Sequence, residues 1–228
     1  APLSGWAQDM LAQVKTEMNY ELAPALMAEL SGKGDTSELL AIARQRPDSF
    51  SQLGMPENPL WVLFDRPSNR GNLGSVIRSC DGLGASGLIL TGHGVDLYDP
   101  EVVGASMGSF FRVPAVRAAD NQSVLQFIAD MRARYPGLRT VGTTAHRQAP
   151  VYGEGLSGPL LFLIGNETDG LCYAFKNTCD VLCTIPMAEG CAASSFNVAC
   201  AATVLLYEAT RQRSAGKPVC WQQGGECK

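Results

Sequence analysis

No apolar run in this chain approaches the ~20 residues that cross a bilayer. The opening residues, Ala-Pro-Leu-Ser-Gly-Trp, also lack a basic stretch followed by an apolar one. Neither a membrane span nor a secretory leader is expected, which places the chain in the cytoplasm. Position 1 is not Met, which leaves open whether residues upstream have been removed. Histidine is scarce, with only His93 and His146, far apart in sequence. Of eight cysteines, five crowd one region (Cys172, Cys179, Cys183, Cys191 and Cys200), yet no C-x-x-C pair occurs. A structural zinc site normally uses tighter spacing, so no metal is expected. Scattered cysteines in a chain of this length with no export signal read as reduced thiols. A basic excess is missing too: 18 Lys and Arg stand against 22 Asp and Glu, a net charge of −4. That speaks against general polyanion binding, although a local patch can act within an acidic whole. No internal repeat or low-complexity block is found.

What is present is ordinary globular material. With 228 residues, 46% hydrophobic and 18% charged, the chain can hold one α/β domain and a small appendage. From about Leu60 onward, apolar strand-like runs alternate with helical spacing. Trp61–Asp65, Leu88–Thr91, Val113–Val116, Arg139–Thr143, Leu160–Ile164 and Val181–Ile185 read as strands. Asn72–Leu83 reads as a helix. Another starts at Asp99-Pro100-Glu101, with Asp as N-cap and Pro at the first position. Val124, Phe127, Ile128, Met131 and Tyr135 keep helical spacing, as do Val198, Ala201, Ala202, Leu205 and Ala209 in a last helix over Asn197–Arg213. Such an order predicts a mostly parallel sheet flanked by helices, with ligands bound beyond the carboxyl ends of the strands.

The first residues differ. Met10, Leu11, Val14 and Met18 share a helical face, Pro24 starts a second helix, and Asp35 with Glu38 reads as a capping pair before Leu39–Arg44. The expected domains are an N-terminal helical appendage and linker over 1–57, a main domain over 58–213 and a flexible tail over 214–228.

Several motifs compete for attention. Gly82-Leu-Gly84-Ala-Ser-Gly87 fits G-x-G-x-x-G, but it follows a helix and precedes a strand, the reverse of a dinucleotide fingerprint. A helix C-cap and turn explains it. Gly104-Ala-Ser106-Met-Gly108 fits the nucleophile elbow of α/β-hydrolases, with His146 as base and Asp120 or Asp130 as acid. That motif needs a strand before the serine, whereas Asp-Pro-Glu puts Ser106 inside a helix. An esterase using Ser106 stays as an alternative.

Three stretches set glycines or amides against the end of an apolar strand. Asn69-Arg70-Gly71-Asn72-Leu73-Gly74 leads into a helix bearing Arg78; alone, it reads better as a capped helix with one surface arginine. Gly165-Asn166-Glu167-Thr168-Asp169-Gly170-Leu171 follows Leu161–Ile164. Ile185-Pro186-Met187 precedes Ser195-Phe196-Asn197-Val198. Junctions of this kind present backbone groups to a ligand, and three in one domain point to a composite pocket.

In this order the stretches resemble the SpoU/TrmH branch of the SPOUT methyltransferases. Asn72-x-Gly74-x-x-x-Arg78 with the downstream Gly84 resembles the first family motif, Gly165-Asn166-Glu167-x-x-Gly170-Leu171 the second, and Ile185-Pro186-Met187 with Ser195-Phe196-Asn197-Val198 the third. The resemblance covers roughly residues 58–213. It departs from the usual pattern in Phe196, where leucine is common, and in a longer loop between Met187 and Ser195. Family membership implies a C-terminal deep trefoil knot, a homodimer whose active site draws on both subunits, and S-adenosylmethionine as methyl donor. It implies transfer to a ribose 2′-hydroxyl of transfer or ribosomal RNA. Carried over by position, Thr143, Gly165, Ile185, Met187 and Phe196 bind the cofactor. Arg78, Asn72, Glu167, Ser195 and Asn197 form the catalytic set: Arg78 as electrostatic clamp, Asn72 orienting the ribose, Glu167 positioning Arg78 or a neighbouring amide, Ser195 and Asn197 bracing the knot. A catalytically inactive RNA-binding relative is the other alternative, against which the presence of Asn72, Arg78, Glu167 and Asn197 argues.

Overall fold

A computed structural model of the chain describes residues 2–32, 34–146 and 148–215. Most of the expected tail, from 216 onward, lies outside the described residues. Two compact units are present, Ala1–Arg46 and Pro47–Lys228.

In the first unit, α1 (Gly5–Gln13) is capped by Ser4, whose hydroxyl accepts from the Ala7 N–H. Helix α2 (Pro24–Ser31) starts on its proline, as expected, and ends at Gly32 with φ +60°. Two expectations fail. Helix α1 stops at Gln13, short of Met18, and beyond it Thr16 hydrogen-bonds Asn19, a local side-chain bond of the kind that competes with helix. No helix covers Leu39–Arg44. Glu38 instead accepts from the N–H and hydroxyl of Ser4, so its carboxylate is spent on the start of α1.

The second unit is built on a seven-stranded sheet in the order β3-β2-β1-β6-β4-β7-β5, every pair parallel. Its strands are β1 (Leu60–Phe64), β2 (Gly87–Leu90), β3 (Ala115–Arg117), β4 (Arg139–Thr143), β5 (Ala149–Pro150), β6 (Leu160–Ile164) and β7 (Val181–Thr184). The central pair, Leu-Trp-Val-Leu-Phe and Leu-Leu-Phe-Leu-Ile, is buried at every position, which continuous apolar runs allow only when both faces are covered. Alternation divides these residues between two cores. Leu60, Val62, Phe64, Leu160, Phe162 and Ile164 pack against α3 (Arg70–Gly82) and α7 (Val198–Arg213). Trp61, Leu63, Leu161 and Leu163 pack on the other side with Val124, Phe127 and Ile128 of α5 (Asn121–Arg134) and Phe175 of α6 (Tyr173–Thr178). The edges are β3 and β5, only three and two residues long, and Pro150 sits where a missing N–H costs little. Phe50 stacks on Phe127 with centroids 4.7 Å apart, and Leu53 is buried, so residues 50–53 pack with the sheet.

Helix α4 (Pro100–Ala105) has the expected cap: the Asp99 carboxylate accepts from the Glu101 N–H. It stops one residue before Ser106, which is buried and donates its hydroxyl to the Val103 carbonyl. Helix α3 meets α4 closely; a Cβ on Gly74 would stand 2.5 Å from that of Ala105. Gly84, at φ +72°, turns the chain out of α3 as a cap and turn, not a dinucleotide loop. At the far end of α7, the Arg213 guanidinium donates to the carbonyls of Asn58, Pro59 and Gly158, tying the helix to the starts of β1 and β6.

Strand register brings the carboxyl ends of β1, β2, β6, β4 and β7 level. After β1 the chain moves toward β2; after β6 it moves toward β7. The loops at these two adjacent strand ends therefore diverge and leave a crevice, the usual place for a ligand in open parallel sheets.

Candidate active site

The loop after β6 doubles back over its own strand. A Cβ on Gly165 would collide with the backbone of Gly170 and Leu171, so only glycine fits there. Asn166 and Gly170 form an antiparallel bridge, and the Asn166 side chain accepts from the N–H groups of Thr168 (3.0 Å) and Asp169 (2.6 Å). Gly170 adopts φ +66°, which closes the turn. Gly165, Asn166 and Gly170 thus each have a local reason, while Glu167 is held out at the tip.

Glu167 is claimed by the loop after β1. Its Oε2 accepts from the Ser68 hydroxyl at 2.6 Å, and its Oε1 from the Asn72 Nδ2 at 2.9 Å. The Asn72 Oδ1 accepts from the Asn197 Nδ2 at 3.0 Å, and the Asn197 Oδ1 accepts from the N–H groups of Ala199 and Cys200 in the first turn of α7. The orientation of both amides follows from donor–acceptor logic. Helix N–H groups can only donate, so Asn197 must turn its oxygen to them and its NH2 to Asn72. Asn72 must then present its own NH2 to Glu167, which accepts because it is ionised. Burial opposes ionisation of Glu167, but hydrogen bonds from Asn72 and Ser68 outweigh it and hold the carboxyl below the usual range. Residues from all three motifs thus share one chain of polar contacts.

Beside this chain lies a cavity of about 560 Å³. Its walls come from the ends of β4, β6 and β7 and the start of α7. Thr143, Gly165, Ile185, Met187 and Phe196 all line it, as do Glu167, Ser195 and Asn197. Asn72 reaches the site through Glu167 and Asn197 without lining the cavity. Arg78 does not line it: exposed on α3, six residues past Asn72, it makes no hydrogen bond or ion pair among the described residues. Cys183 forms part of the floor, and burial pushes its thiol up to about 12, so it stays neutral and serves as apolar surface. The six cysteines within the described residues are free. No group of three or more His, Cys, Asp or Glu among the described residues is arranged to hold a metal ion. Ser106 is buried with its hydroxyl committed to Val103, and no strand leads into it, so the esterase alternative fails.

Sequence reasoning missed four contributors. Asp65, taken only as the end of a strand, is a fully buried carboxylate. It accepts from the Thr91 hydroxyl (2.7 Å), the Cys172 N–H (2.8 Å) and the guanidinium of Arg66 (3.1 and 3.2 Å). Ser68 holds Glu167. A charged residue directly after five buried apolar ones was the available signal for Asp65; Ser68, Thr91 and Arg66 carried none.

Comparison with known proteins gives a consistent result. The model of the SpoU rRNA Methylase family matches residues 59–207. A 23S rRNA (uridine(2479)-2′-O)-methyltransferase from Streptomyces viridochromogenes is 44% identical over 216 residues, covering 94% of this chain and 74% of the relative. The crystal structure of the SpoU methyltransferase AviRb from the same organism, in complex with AdoMet, superposes with a TM-score of 0.87 at 43% identity, over 95% of this chain and 81% of that one. The 23S rRNA (guanosine-2′-O-)-methyltransferase RlmB of Vibrio parahaemolyticus is 31% identical over 165 residues, covering 72% of this chain and 64% of its own length.

Proposed function

The chain belongs to the SpoU rRNA methylase family, and on that premise we propose that it transfers a methyl group from S-adenosylmethionine to a ribose 2′-hydroxyl of ribosomal RNA. The observation that carries this reading is the meeting of three distant loops at one cavity, with Asn72, Glu167 and Asn197 joined beside it. Ribosomal RNA is preferred to transfer RNA because the relatives reported above are named for 23S rRNA.

The residues present fit the methyl donor. The cavity volume falls within the ~300–1,000 Å³ range of small-ligand sites. Leu171, Ile185, Phe196 and Leu205 offer apolar wall for an adenine, and Thr143, Ser194 and Ser195 offer hydroxyls. The backbone of Gly165, unshielded by any side chain, can face a ligand directly. When bound, S-adenosylmethionine supplies an electrophilic methyl group on a sulfonium.

The remaining work falls to this chain. A ribose hydroxyl is a weak nucleophile, so the site must stabilise the negative charge that grows on its oxygen. Arg78 is assigned that role, as a clamp on the neighbouring phosphate and the developing alkoxide. A guanidinium carries only donors and no acceptor site, so it is a poor proton acceptor. Asn72 orients the ribose. Of the two roles open to Glu167, holding a neighbouring amide is favoured, since its partners are Asn72 and Ser68 and not Arg78. Ser195 and Asn197 brace the segment entering α7. Residues 58–213 are read as the catalytic domain and 1–57 as an appendage with its linker.

The reading includes a trefoil knot formed by the segment from β7 through α7. It is supported by the strand order, in which β7 lies beyond β4 while α7 returns to pack on α3. A homodimer in the cytoplasm is also part of the proposal, with Arg78 serving a site completed by the partner subunit. Exposed Met107, Phe111 and Tyr207 support that pairing. Incubation with S-adenosylmethionine carrying a tritiated methyl tests the function: label should enter deproteinised ribosomal RNA, and a failure of ribosomal RNA to accept label would overturn it.

A further inference from the structure

Arg66 is the second residue of the loop after β1, and its backbone sits at φ +51°, a left-handed conformation in which arginine is uncommon. No glycine occupies the position, so something the side chain does must hold the residue there. All three guanidinium nitrogens have a partner. Nε and Nη2 fork onto the two oxygens of buried Asp65, Nη2 also donates to the Gly170 carbonyl at 3.0 Å, and Nη1 lies 3.7 Å from the Asp169 carboxylate. The Arg66 N–H donates to the Thr91 hydroxyl, which in turn donates to Asp65. Asp65 also accepts from the Cys172 N–H, one residue beyond the loop that lines the cavity.

These contacts have a common direction. Gly165 through Leu171 all line the cavity. The start of that loop is fixed by the close approach at Gly165, and its tip by Ser68 and Asn72 acting on Glu167. The end of the loop meets Gly165 through the Gly170 and Leu171 backbone and buries the Leu171 side chain in the core. It is held at Gly170 and Cys172 from behind by Arg66 and Asp65, neither of which lines the cavity. Gly170 itself has φ +66° and no side chain, so it is fixed through its backbone, by the bridge to Asn166 and by the carbonyl that Arg66 grips.

Resting on the function proposed above, we infer that Arg66 and Asp65 are positioning residues for methyl-donor affinity: a latch from the end of β1 that fixes Gly170–Cys172 and thereby the cofactor wall. The latch grips the end of the cofactor loop at Gly170 and Cys172, apart from the Ser68–Glu167–Asn72 contacts at its tip, so it serves donor binding while leaving contacts with RNA alone.

Arg66→Gly is the informative variant, because glycine adopts this φ freely, so the side chain is removed without straining the backbone. Calorimetric titration with S-adenosylhomocysteine should show a Kd raised about tenfold. The KM for S-adenosylmethionine should rise in parallel, while the KM for ribosomal RNA stays within about twofold. Arg66→Lys, which keeps the charge but not the fork, should recover part of the loss. Hydrogen exchange supplies a readout independent of ligand: the amides of 170–172 should exchange faster in Arg66→Gly than in the unsubstituted chain. Unchanged affinity for S-adenosylhomocysteine in Arg66→Gly, or unchanged exchange at 170–172, overturns the inference. If the unsubstituted chain binds no S-adenosylhomocysteine, the proposed function fails instead, and the exchange comparison still decides whether the latch exists.

Discussion

Asn72 is held on both sides, donating to Glu167 and accepting from Asn197, so its amide has one orientation before any substrate arrives. Pre-aimed polar groups are worth most where charge develops, and losing one typically costs about 10²–10³ in turnover. Asn72→Ala should therefore lower kcat on ribosomal RNA by about 10²-fold. Arg78→Ala should lower it at least as much, yet leave thermal stability within about 0.5 kcal/mol, as expected for an exposed residue with no structural partner. Equal turnover in Arg78→Ala would remove Arg78 from the mechanism. Glu167 adds a pH signature. Its carboxyl is held below the ordinary 4.5 on folding, so it contributes stability above that value and loses the contribution as pH falls through the folded-state value. Thermal melts of the unsubstituted chain and Glu167→Gln should differ by a constant amount from pH 5 to 8, and the gap should close below about pH 4.5. A gap that widened with acid would contradict the assignment. At this scale the glycines and amides were legible because their chemistry is local: Gly165 and Gly170 shape a turn, and Asn197 caps a helix. Asp65, Ser68 and Thr91 were not, because their partners lie far off in sequence. Asp65 meets Cys172 across 107 positions, and Ser68 meets Glu167 across 99.

Among elements, the strands carried the strongest sequence signal. Five buried apolar residues in a row at β1 and again at β6 leave little choice but a sheet covered on both faces. The N-terminal helices were less legible, since an apolar spacing that reaches Met18 says nothing about the Thr16–Asn19 bond that competes with the helix. Glu38 looked like half of a capping box and caps nothing of its own, because Ser4, 34 positions away, takes its carboxylate. Two glycines separate the role of an element from the role of the site. A methyl group at Gly74 would strike Ala105 and the Val102 carbonyl where α3 crosses α4; one at Gly165 would strike the backbone of Gly170 and Leu171. Overpacking of this kind costs about 1–3 kcal/mol. Urea denaturation should show that loss in both Gly74→Ala and Gly165→Ala. Only Gly165→Ala should also lose affinity for S-adenosylhomocysteine, and parallel losses in the two variants would argue that the loop after β6 has no special place in the cavity.

For the whole molecule, a single economy recurs: α7 begins at the cavity, where Asn197 joins the polar chain, and ends where Arg213 grips the starts of β1 and β6. One helix thus spans the sheet from its ligand end to its opposite end. The homodimer proposed above predicts a sedimentation-equilibrium mass of twice the 24.3 kDa chain at micromolar concentration; a mass of one chain would leave Arg78 without the shared site assigned to it. The central claim is chemical, and it concerns where a methyl group ends up. Ribosomal RNA transcribed without modification, incubated with this protein and S-adenosylmethionine, then digested to nucleosides and weighed by mass spectrometry, tests it most directly. The account predicts a single new species carrying its added methyl on the ribose, formed about 10²-fold more slowly or worse with Arg78→Ala; a methyl found on a base, or none at all with intact protein, would contradict it.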